Sequence, residues 1–188
     1  DEQACLYIYR QLMNGRAQTG IVACASIDEY LDNKIKKHEH TRADKEKDRI
    51  THVNTLDANT GPIFLTYRAR ADINQIVAEW CQKEPVYDFT SEDGITHIVW
   101  VIDDQTIIEK LQALFLDVDQ LYIADGHHRC ASGVRVGQMR RQEIPDFTGD
   151  EEFNCFLAVI FPDQDLYIMD YNRVVKDLNG LSAEEFLE

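Results

Sequence analysis

Two pairs of strand-like segments, each closed by a two-residue turn, constrain the fold of this chain most. One pair flanks Asn14-Gly15 (residues 4–11 and 19–25), and the other flanks Asp93-Gly94 (residues 86–91 and 95–102). Asn-Gly and Asp-Gly favour the positive φ angles of tight hairpin turns. The sequence therefore predicts two antiparallel hairpins and excludes an all-helical protein.

The remaining segments alternate between helical and extended patterns. Ser26 is a predicted N-cap for a helix that runs through Ile35 into residues 36–41. Further helices are predicted over 42–56, 72–81, 104–116 and 127–138, strands over 63–67 and 121–124, a third strand pair over 153–161 and 166–171, and a last helix capped by Ser182. We expect an α+β fold, a mixed and mostly antiparallel sheet with peripheral helices, as a single domain over residues 1–188.

Charge and hydropathy exclude several classes of partner. The chain has 34 acidic and 19 basic residues and a net charge of −15, which repels phosphate backbones, so we expect no nucleic acid partner. The longest apolar run, Cys155 to Phe161, is far shorter than the roughly 18 residues of a bilayer span, so we expect no membrane segment. Five widely spaced cysteines without a C-x-x-C pair indicate a reduced, cytoplasmic setting.

The most informative stretch is Asp125-Gly126-His127-His128-Arg129, which follows a short strand and opens a helix. The first turn of a helix offers unpaired N–H groups and a partial positive charge to an anion. Gly126 permits close backbone approach, Arg129 can bind phosphate oxygens in a bidentate way, and a histidine can move a proton. We interpret this loop as a phosphate site; alternatively, Asp125 only caps the helix and the histidines are solvated.

The motif from Tyr122 to Arg129, followed by Ala131 and Gly137, resembles the strand–loop–helix signature of the ParB/sulfiredoxin-like superfamily. Within it, the chain resembles the bacterial domain of unknown function family 1015, which shares Lys37-His38-Glu39-x-Thr41 and Gly61-Pro62-Ile63. The resemblance implies a ParB-like fold. Members of that family are usually considerably longer, so we expect this chain to be an internal piece of a longer protein.

The chain is also similar to the archaeal free-serine kinases of that superfamily, which carry an Asp-Gly-His-His-Arg loop and a preceding His-Glu pair. This similarity implies phosphate transfer between a nucleotide, ADP or ATP with Mg²⁺, and a small hydroxy amino acid, serine or phosphoserine. It implies that Glu39 is the base, that Asp125 is an essential carboxylate and that Gly126 to Arg129 bind phosphate. His38 and Thr41 become candidate substrate contacts. The kinases have a large aromatic residue where this chain has Cys130, which puts the adjoining pocket in question.

Each of these assignments has an alternative. Glu39 lies in a mixed-charge segment, residues 36–49, in which surface ion pairs contribute little. His38 and His40 form a His-x-His pair that a metal could use, although no third ligand stands at motif spacing. Cys130 is either a redox nucleophile or, as we favour, a buried core residue.

The whole chain could also act as a non-catalytic nucleotide- or phosphate-binding switch. Both functions require that Glu39 and the Asp125–Arg129 loop meet at one site.

Overall fold

The computed structural model describes residues 3–39 and 43–187, and the side chains of these ranges apart from residues 43–45. Its strands are β1 (Leu6–Met13), β2 (Arg16–Ser26), β3 (Ile35–Lys36), β4 (Ile63–Tyr67), β5 (Tyr87–Thr90), β6 (Thr96–Ile102), β7 (Leu121–Asp125) and β8 (Cys155–Pro162). The helices are α1 (Ile27–Leu31), α2 (Ala43–Leu56), α3 (Ala71–Trp80), α4 (Gln105–Leu116), α5 (His127–Glu143) and α6 (Ala183–Leu187), with 3₁₀ turns at Glu152–Asn154 and Asp163–Asp165.

The strands form one eight-stranded sheet in the order β3-β7-β4-β8-β2-β1-β6-β5. The pairs β3/β7 and β4/β8 are parallel, and the other neighbouring pairs are antiparallel. The predicted α+β class with a mixed, mostly antiparallel sheet is therefore confirmed.

Both predicted hairpins are present. Asn14 and Gly15 have φ angles of 52° and 77° between β1 and β2, as a tight turn with two left-handed residues requires. Gly94, with φ 81°, closes the β5/β6 hairpin. Ser26 caps α1 through its side-chain oxygen, which accepts a hydrogen bond from the Asp28 N–H.

The hydrophobic core lies between one face of the sheet and the helices. Ile8, Leu65 and Ile123 represent the sheet in this core, and they are fully buried or nearly so. Ile27 of α1, Ile73 of α3, Leu111 of α4 and Cys130 of α5 belong to the same cluster. In the described residues no helix is long and apolar enough to cross a membrane.

The helix predicted to run from Ser26 past Ile35 is wrong beyond Leu31. Asn33 adopts a positive φ of 59°, which ends the helical path, and Ile35–Lys36 then forms strand β3. The carbonyl of Lys34 accepts a hydrogen bond from the Leu121 N–H, so this segment pairs with β7 instead of continuing α1. Burial of Ile35 in the sheet satisfies the apolar side chain that had suggested a longer helix.

The strand predicted over residues 166–171 is also wrong. The segment is irregular, and the side chain of Ile168 is 91% exposed. β8, its predicted partner, already pairs with β4 on one side and β2 on the other, so it offers no edge to a further strand. The last helix is present as predicted, and the Ser182 hydroxyl accepts a hydrogen bond from the Glu185 N–H.

Candidate functional site

The order of the strands brings three separate segments to one end of the sheet. β3 runs parallel to β7, with Ile35 opposite Leu121, so the residues after each strand leave the sheet at the same end. β4 runs antiparallel to β7 and begins at that end, directly after Gly61-Pro62. The segment 37–39, the loop 125–129 and the residues before β4 therefore lie together.

Glu39 lies beside the loop, as both functional hypotheses require. Its Oε2 atom is 3.8 Å from His127 Nδ1. The backbone N–H of His38 donates a hydrogen bond of 3.3 Å to His127 Nε2, and the two imidazole rings meet edge to face with centroids 4.3 Å apart. Because Nε2 accepts a hydrogen bond, the neutral ring carries its proton on Nδ1, on the side of Glu39.

His127 is suited to orient a carboxylate rather than to carry charge. Its side chain is only 4% exposed, whereas that of Glu39 is 62% exposed. Burial lowers the pKa of His127 below its ordinary value, and His38 acts in the same direction, against the opposing effects of Glu39 and Asp125. At neutral pH the imidazole is therefore uncharged, and its Nδ1–H faces the Glu39 carboxylate at 3.8 Å, just beyond hydrogen-bond distance.

The first turn of α5 begins without a side-chain cap. Gly126 is the N-cap residue, with a φ of 94°, and no side-chain cap hydrogen bond is present here among the described residues. The first turn also lacks an acidic residue. The interpretation of Asp125 as a simple helix cap is therefore wrong, and the first turn of α5 has no carboxylate of its own to balance the partial positive charge of its N–H groups.

Asp125 instead forms an ion pair with Arg129. Arg129 Nη2 donates to Asp125 Oδ2 at 3.0 Å and to the carbonyl oxygen of Pro62 at 3.3 Å. The Asp125 side chain is 72% exposed and that of Arg129 is 38% exposed. An anion bound at the loop must therefore share Arg129 with Asp125.

Two nitrogen atoms of the loop are buried without a hydrogen-bond partner among the described residues, His128 Nδ1 and Arg129 Nε. A buried polar atom without a partner costs about 1–3 kcal/mol, so native proteins usually satisfy it with a ligand, a water molecule or another residue. The loop therefore has two polar side-chain atoms ready for additional hydrogen bonds, next to the N–H groups of α5.

A family described as "Protein of unknown function (DUF1015)" matches residues 1–188, the whole chain. The chain belongs to this family. Searches among curated proteins and among solved structures gave no match. The DUF1015 description states no activity, so any activity of this chain has to be argued from the geometry of the site.

Not every predicted site residue can be placed in this DUF1015 chain. Thr41 and His40 lie outside the described residues, whereas His38, Glu39 and the loop from Asp125 to Arg129 lie inside them. Within the described ranges, no group of three or more His, Cys, Asp and Glu side chains could hold a metal ion.

Cys130 is a core residue. It is fully buried, and burial raises the pKa of its thiol to about 12, so the thiol stays protonated at neutral pH. Since the thiolate is the nucleophilic form of cysteine, this burial contradicts the interpretation of Cys130 as a redox nucleophile.

Sequence reasoning missed two parts of the site. The Pro62 carbonyl accepts a hydrogen bond from Arg129, although the sequence indicated Gly61-Pro62-Ile63 only as a stretch shared with the family, and an added Cβ at Gly61 would lie 3.7 Å from Arg129 Cδ. The fully buried Ser132 hydroxyl donates to the His128 carbonyl at 2.7 Å and fixes the first turn of α5. The shared Gly61-Pro62-Ile63 stretch was the available signal for the first, and the small residue Ser132 just after the Asp-Gly-His-His-Arg motif for the second.

Larger cavities lie elsewhere in the molecule. One of about 360 Å³ lies beside Gly133 and Arg140 of α5, and one of about 530 Å³ lies between the sheet and the end of α4, near Ala23 and Phe115. Neither is lined by Glu39 or by residues 125–129. The site therefore lies outside these cavities, at the end of β7, where the Glu39 and Asp125 side chains are exposed to solvent.

Proposed function

We propose that this chain is a phosphotransferase-like domain that moves phosphate between a nucleotide and a small hydroxy amino acid, with serine or phosphoserine as the first candidate. One observation carries the proposal: the Glu39 carboxylate is 3.8 Å from His127 Nδ1, in a loop that starts α5 without a side-chain cap and buries two nitrogen atoms that lack a hydrogen-bond partner among the described residues. A proton acceptor beside an anion-binding turn is the minimum that transfer to a hydroxyl group requires.

Glu39 acts as the base in this proposal. As the serine hydroxyl oxygen bonds to phosphorus, the bond from phosphorus to the leaving nucleotide oxygen breaks and the hydroxyl proton passes to the carboxylate. In the reverse direction the protonated carboxyl returns the proton to the serine oxygen. His127 Nδ1–H, which faces Glu39, orients the carboxylate, because position contributes more than basicity to such a transfer.

The loop binds the transferring phosphate. The N–H groups at the start of α5 supply donors and a partial positive charge, and Gly126 leaves room for an oxygen to approach the backbone. His128 Nδ1 and Arg129 Nε would each gain the hydrogen bond that they lack among the described residues. Arg129 would also neutralise charge that develops on the phosphoryl oxygens.

The residues present fit a nucleotide accompanied by Mg²⁺. Mg²⁺ usually binds through one or two carboxylates together with phosphate oxygens and water, so a complete protein ligand set is not required. Asp125, exposed at the mouth of the loop, would hold the ion, which when bound neutralises phosphate charge. Arg129 would contact both Asp125 and the phosphate, and it would hold the Asp125 carboxylate in position.

The test is a phosphoryl-exchange assay with ADP or ATP, Mg²⁺ and serine or phosphoserine. Glu39→Gln and Asp125→Asn should each lower the rate at least about 100-fold while leaving the thermal unfolding transition unchanged. The exposed Glu109→Gln and Asp119→Asn variants are matched controls that should keep the wild-type rate.

Full exchange activity in both site variants would refute the assignment. Titration calorimetry with ADP, ATP and CTP separates the other candidate, since binding without turnover of either amino acid would favour a nucleotide-binding switch.

A further inference from the structure

The sheet has a second apolar face, opposite the one that packs on the helices. Directly opposed residues of neighbouring strands share a face, and the registers Tyr9↔Val99, Val22↔Val159 and Phe64↔Val159 define this one. We call it the open face. It comprises Tyr7, Tyr9, Gln11, Met13, Arg16, Gln18, Gly20, Val22, Cys24, Ser26, Phe64, Thr66, Tyr87, Phe89, His97, Val99, Val101, Cys155, Leu157, Val159 and Phe161.

Helices do not cover the open face in the part of the chain that the structure describes. The core cluster that α1, α3, α4 and α5 share with the sheet contains Ile8, Ile21 and Ile160. Their neighbours in sequence, Tyr9, Val22 and Val159, point to the other face of the sheet and are not in this cluster. Val22, Val99 and Leu157 remain only partly buried although they lie on central strands of the sheet.

The composition of the open face differs from that of a solvated face. A sheet packed on one side normally alternates apolar and polar residues, so its outer face is polar. Here the outer positions of β1, β2, β6 and β8 carry mostly valine, leucine, aromatic and uncharged polar side chains, and Arg16 at the start of β2 is the one charged residue at these positions of the described strands, although 28% of the chain is charged. Depletion of charge with enrichment in tyrosine and phenylalanine is typical of the centre of a protein interface.

We propose that the open face is the interface of a homodimer, in which two copies of this chain pack sheet against sheet. A face that packs on its own copy about a twofold axis is complementary to itself, so one apolar patch is enough. Val22, Val99 and Leu157, which are partly exposed on central strands, would form its centre, and Tyr87 and Phe89 of the edge strand, 64% and 53% exposed, would extend it. Thr66, Val159 and Phe161 are already buried within the single chain.

The available area suits such a dimer. Six adjacent strands, β4 to β5 in sheet order, spaced about 4.8 Å apart and about six residues long at about 3.3 Å per residue, give roughly 600 Å² for each copy. Two copies therefore bury somewhat more than the roughly 1,000 Å² that a specific interface needs.

The net charge of the chain disfavours two other occupants of the open face, nucleic acid and anionic lipid. With a net charge of −15, the chain repels nucleic acid and anionic lipid surfaces. Two copies of the chain also repel each other because both are acidic. This repulsion is smallest at a surface without carboxylates, and the open face has none. Dimerisation through it should therefore tighten as salt screens the remaining repulsion.

The first measurement is the mass of the chain by sedimentation equilibrium between about 1 and 100 μM, the range of modest protein affinities. We expect a dimer of twice 21.7 kDa at the upper end. Leu157→Lys should give a folded monomer, because the half-buried side chain would place an ammonium group in the interface. Leu116→Lys, at an 80% exposed position outside the open face, is the matched control and should remain dimeric.

Cys24 gives a second measurement that needs no variant. It is exposed on the open face, whereas Cys81 lies half-buried at the end of α3. With an alkylating reagent in excess, the labelling rate of Cys24 should fall about tenfold between the monomeric and dimeric concentrations, and that of Cys81 should not change.

A chain that stays monomeric at the upper concentration would overturn the proposal. So would a dimer in which the labelling rate of Cys24 is independent of concentration, even if Leu157→Lys proves unable to fold. Neither result bears on the phosphotransferase proposal, since neither measurement involves the site at Glu39.

Discussion

Two glycines of α5 give the sharpest test of how this helix is held against the sheet. A Cβ atom added at Gly137 would lie 2.3 Å from the carbonyl oxygen of Phe153 and 2.7 Å from Ile27 Cδ1. A Cβ atom at Gly133 would lie 3.5 Å from Phe156 Cβ, an ordinary van der Waals contact. Both positions are in the interior of the same helix, so the same substitution can be compared at each.

The expected magnitudes follow from these contacts. Replacing a helical glycine by alanine stabilises a helix by about 1 kcal/mol, and this gain applies at both positions. At Gly137 the new methyl group meets a backbone carbonyl that cannot rotate away, and such overpacking costs about 3 kcal/mol. We therefore expect Gly137→Ala to destabilise the fold by about 2 kcal/mol and Gly133→Ala to stabilise it by about 1 kcal/mol.

The free energies of unfolding can be measured by urea denaturation followed by circular dichroism, with thermal denaturation as a second probe. A difference of about 3 kcal/mol between the two variants corresponds to melting temperatures roughly 6–12 °C apart in a chain of this size. If both variants shift stability in the same direction by similar amounts, close approach to Phe153 is not the reason that position 137 holds glycine.

Two further predictions concern the loop itself. Gly126→Ala should cost about 1–2 kcal/mol of folding free energy in urea denaturation, because φ is 94° and the added Cβ would lie 3.0 Å from Arg129 Nη2; a wild-type midpoint would contradict this. His127 should titrate below its ordinary pKa by NMR, because burial disfavours its charged form. Since the unfolded chain binds this proton at higher pH than the native one, the contribution of His127 to stability is complete above about pH 6.5 and declines below it. Wild type should therefore lose more stability than His127→Gln between about pH 7.5 and 5.5, and equal losses would refute the assignment.

The local elements of this fold could be predicted because local chemistry decides them. Asn14-Gly15 has the backbone freedom that a two-residue turn needs, and Ser26 accepts the hydrogen bond that starts α1. The end of α1 could not be predicted, because Ile35 has the right spacing for a helix and also the right character for a buried strand. Pairing with Leu121, far away in the chain, decides between the two.

Sheet order limited the prediction in the same way. The alternation over residues 166–171 is typical of a strand, but a strand also needs a partner with an unpaired edge. β4 comes much earlier in the chain and occupies the position beside β8 that a C-terminal hairpin would have used. Nothing in the sequence near Ile168 indicates that this edge is already occupied.

The sequence indicated the loop of the candidate site, but its pattern alone did not predict that Glu39 lies next to this loop. Five polar residues after a buried strand indicated an anion site from their chemistry alone; the structure places them at the uncapped start of α5, and the anion site itself stays a prediction. The position of Glu39 beside His127 depends on the parallel pairing of β3 with β7. The sequence pattern had predicted a helix where β3 lies. From the sequence, only the resemblance to the serine kinases predicted that these two segments form one site.

The site and the open face use different parts of the same sheet. Glu39 and the loop follow β3 and β7, at one margin, whereas the open face is centred on β8, β2, β1 and β6 towards the other. Dimerisation centred on Val22, Val99 and Leu157 would therefore leave the end of β7 accessible to a nucleotide. For that reason Leu157→Lys, as a folded monomer, would show whether phosphoryl transfer belongs to the single chain, since its site residues and their hydrogen bonds are untouched by the substitution.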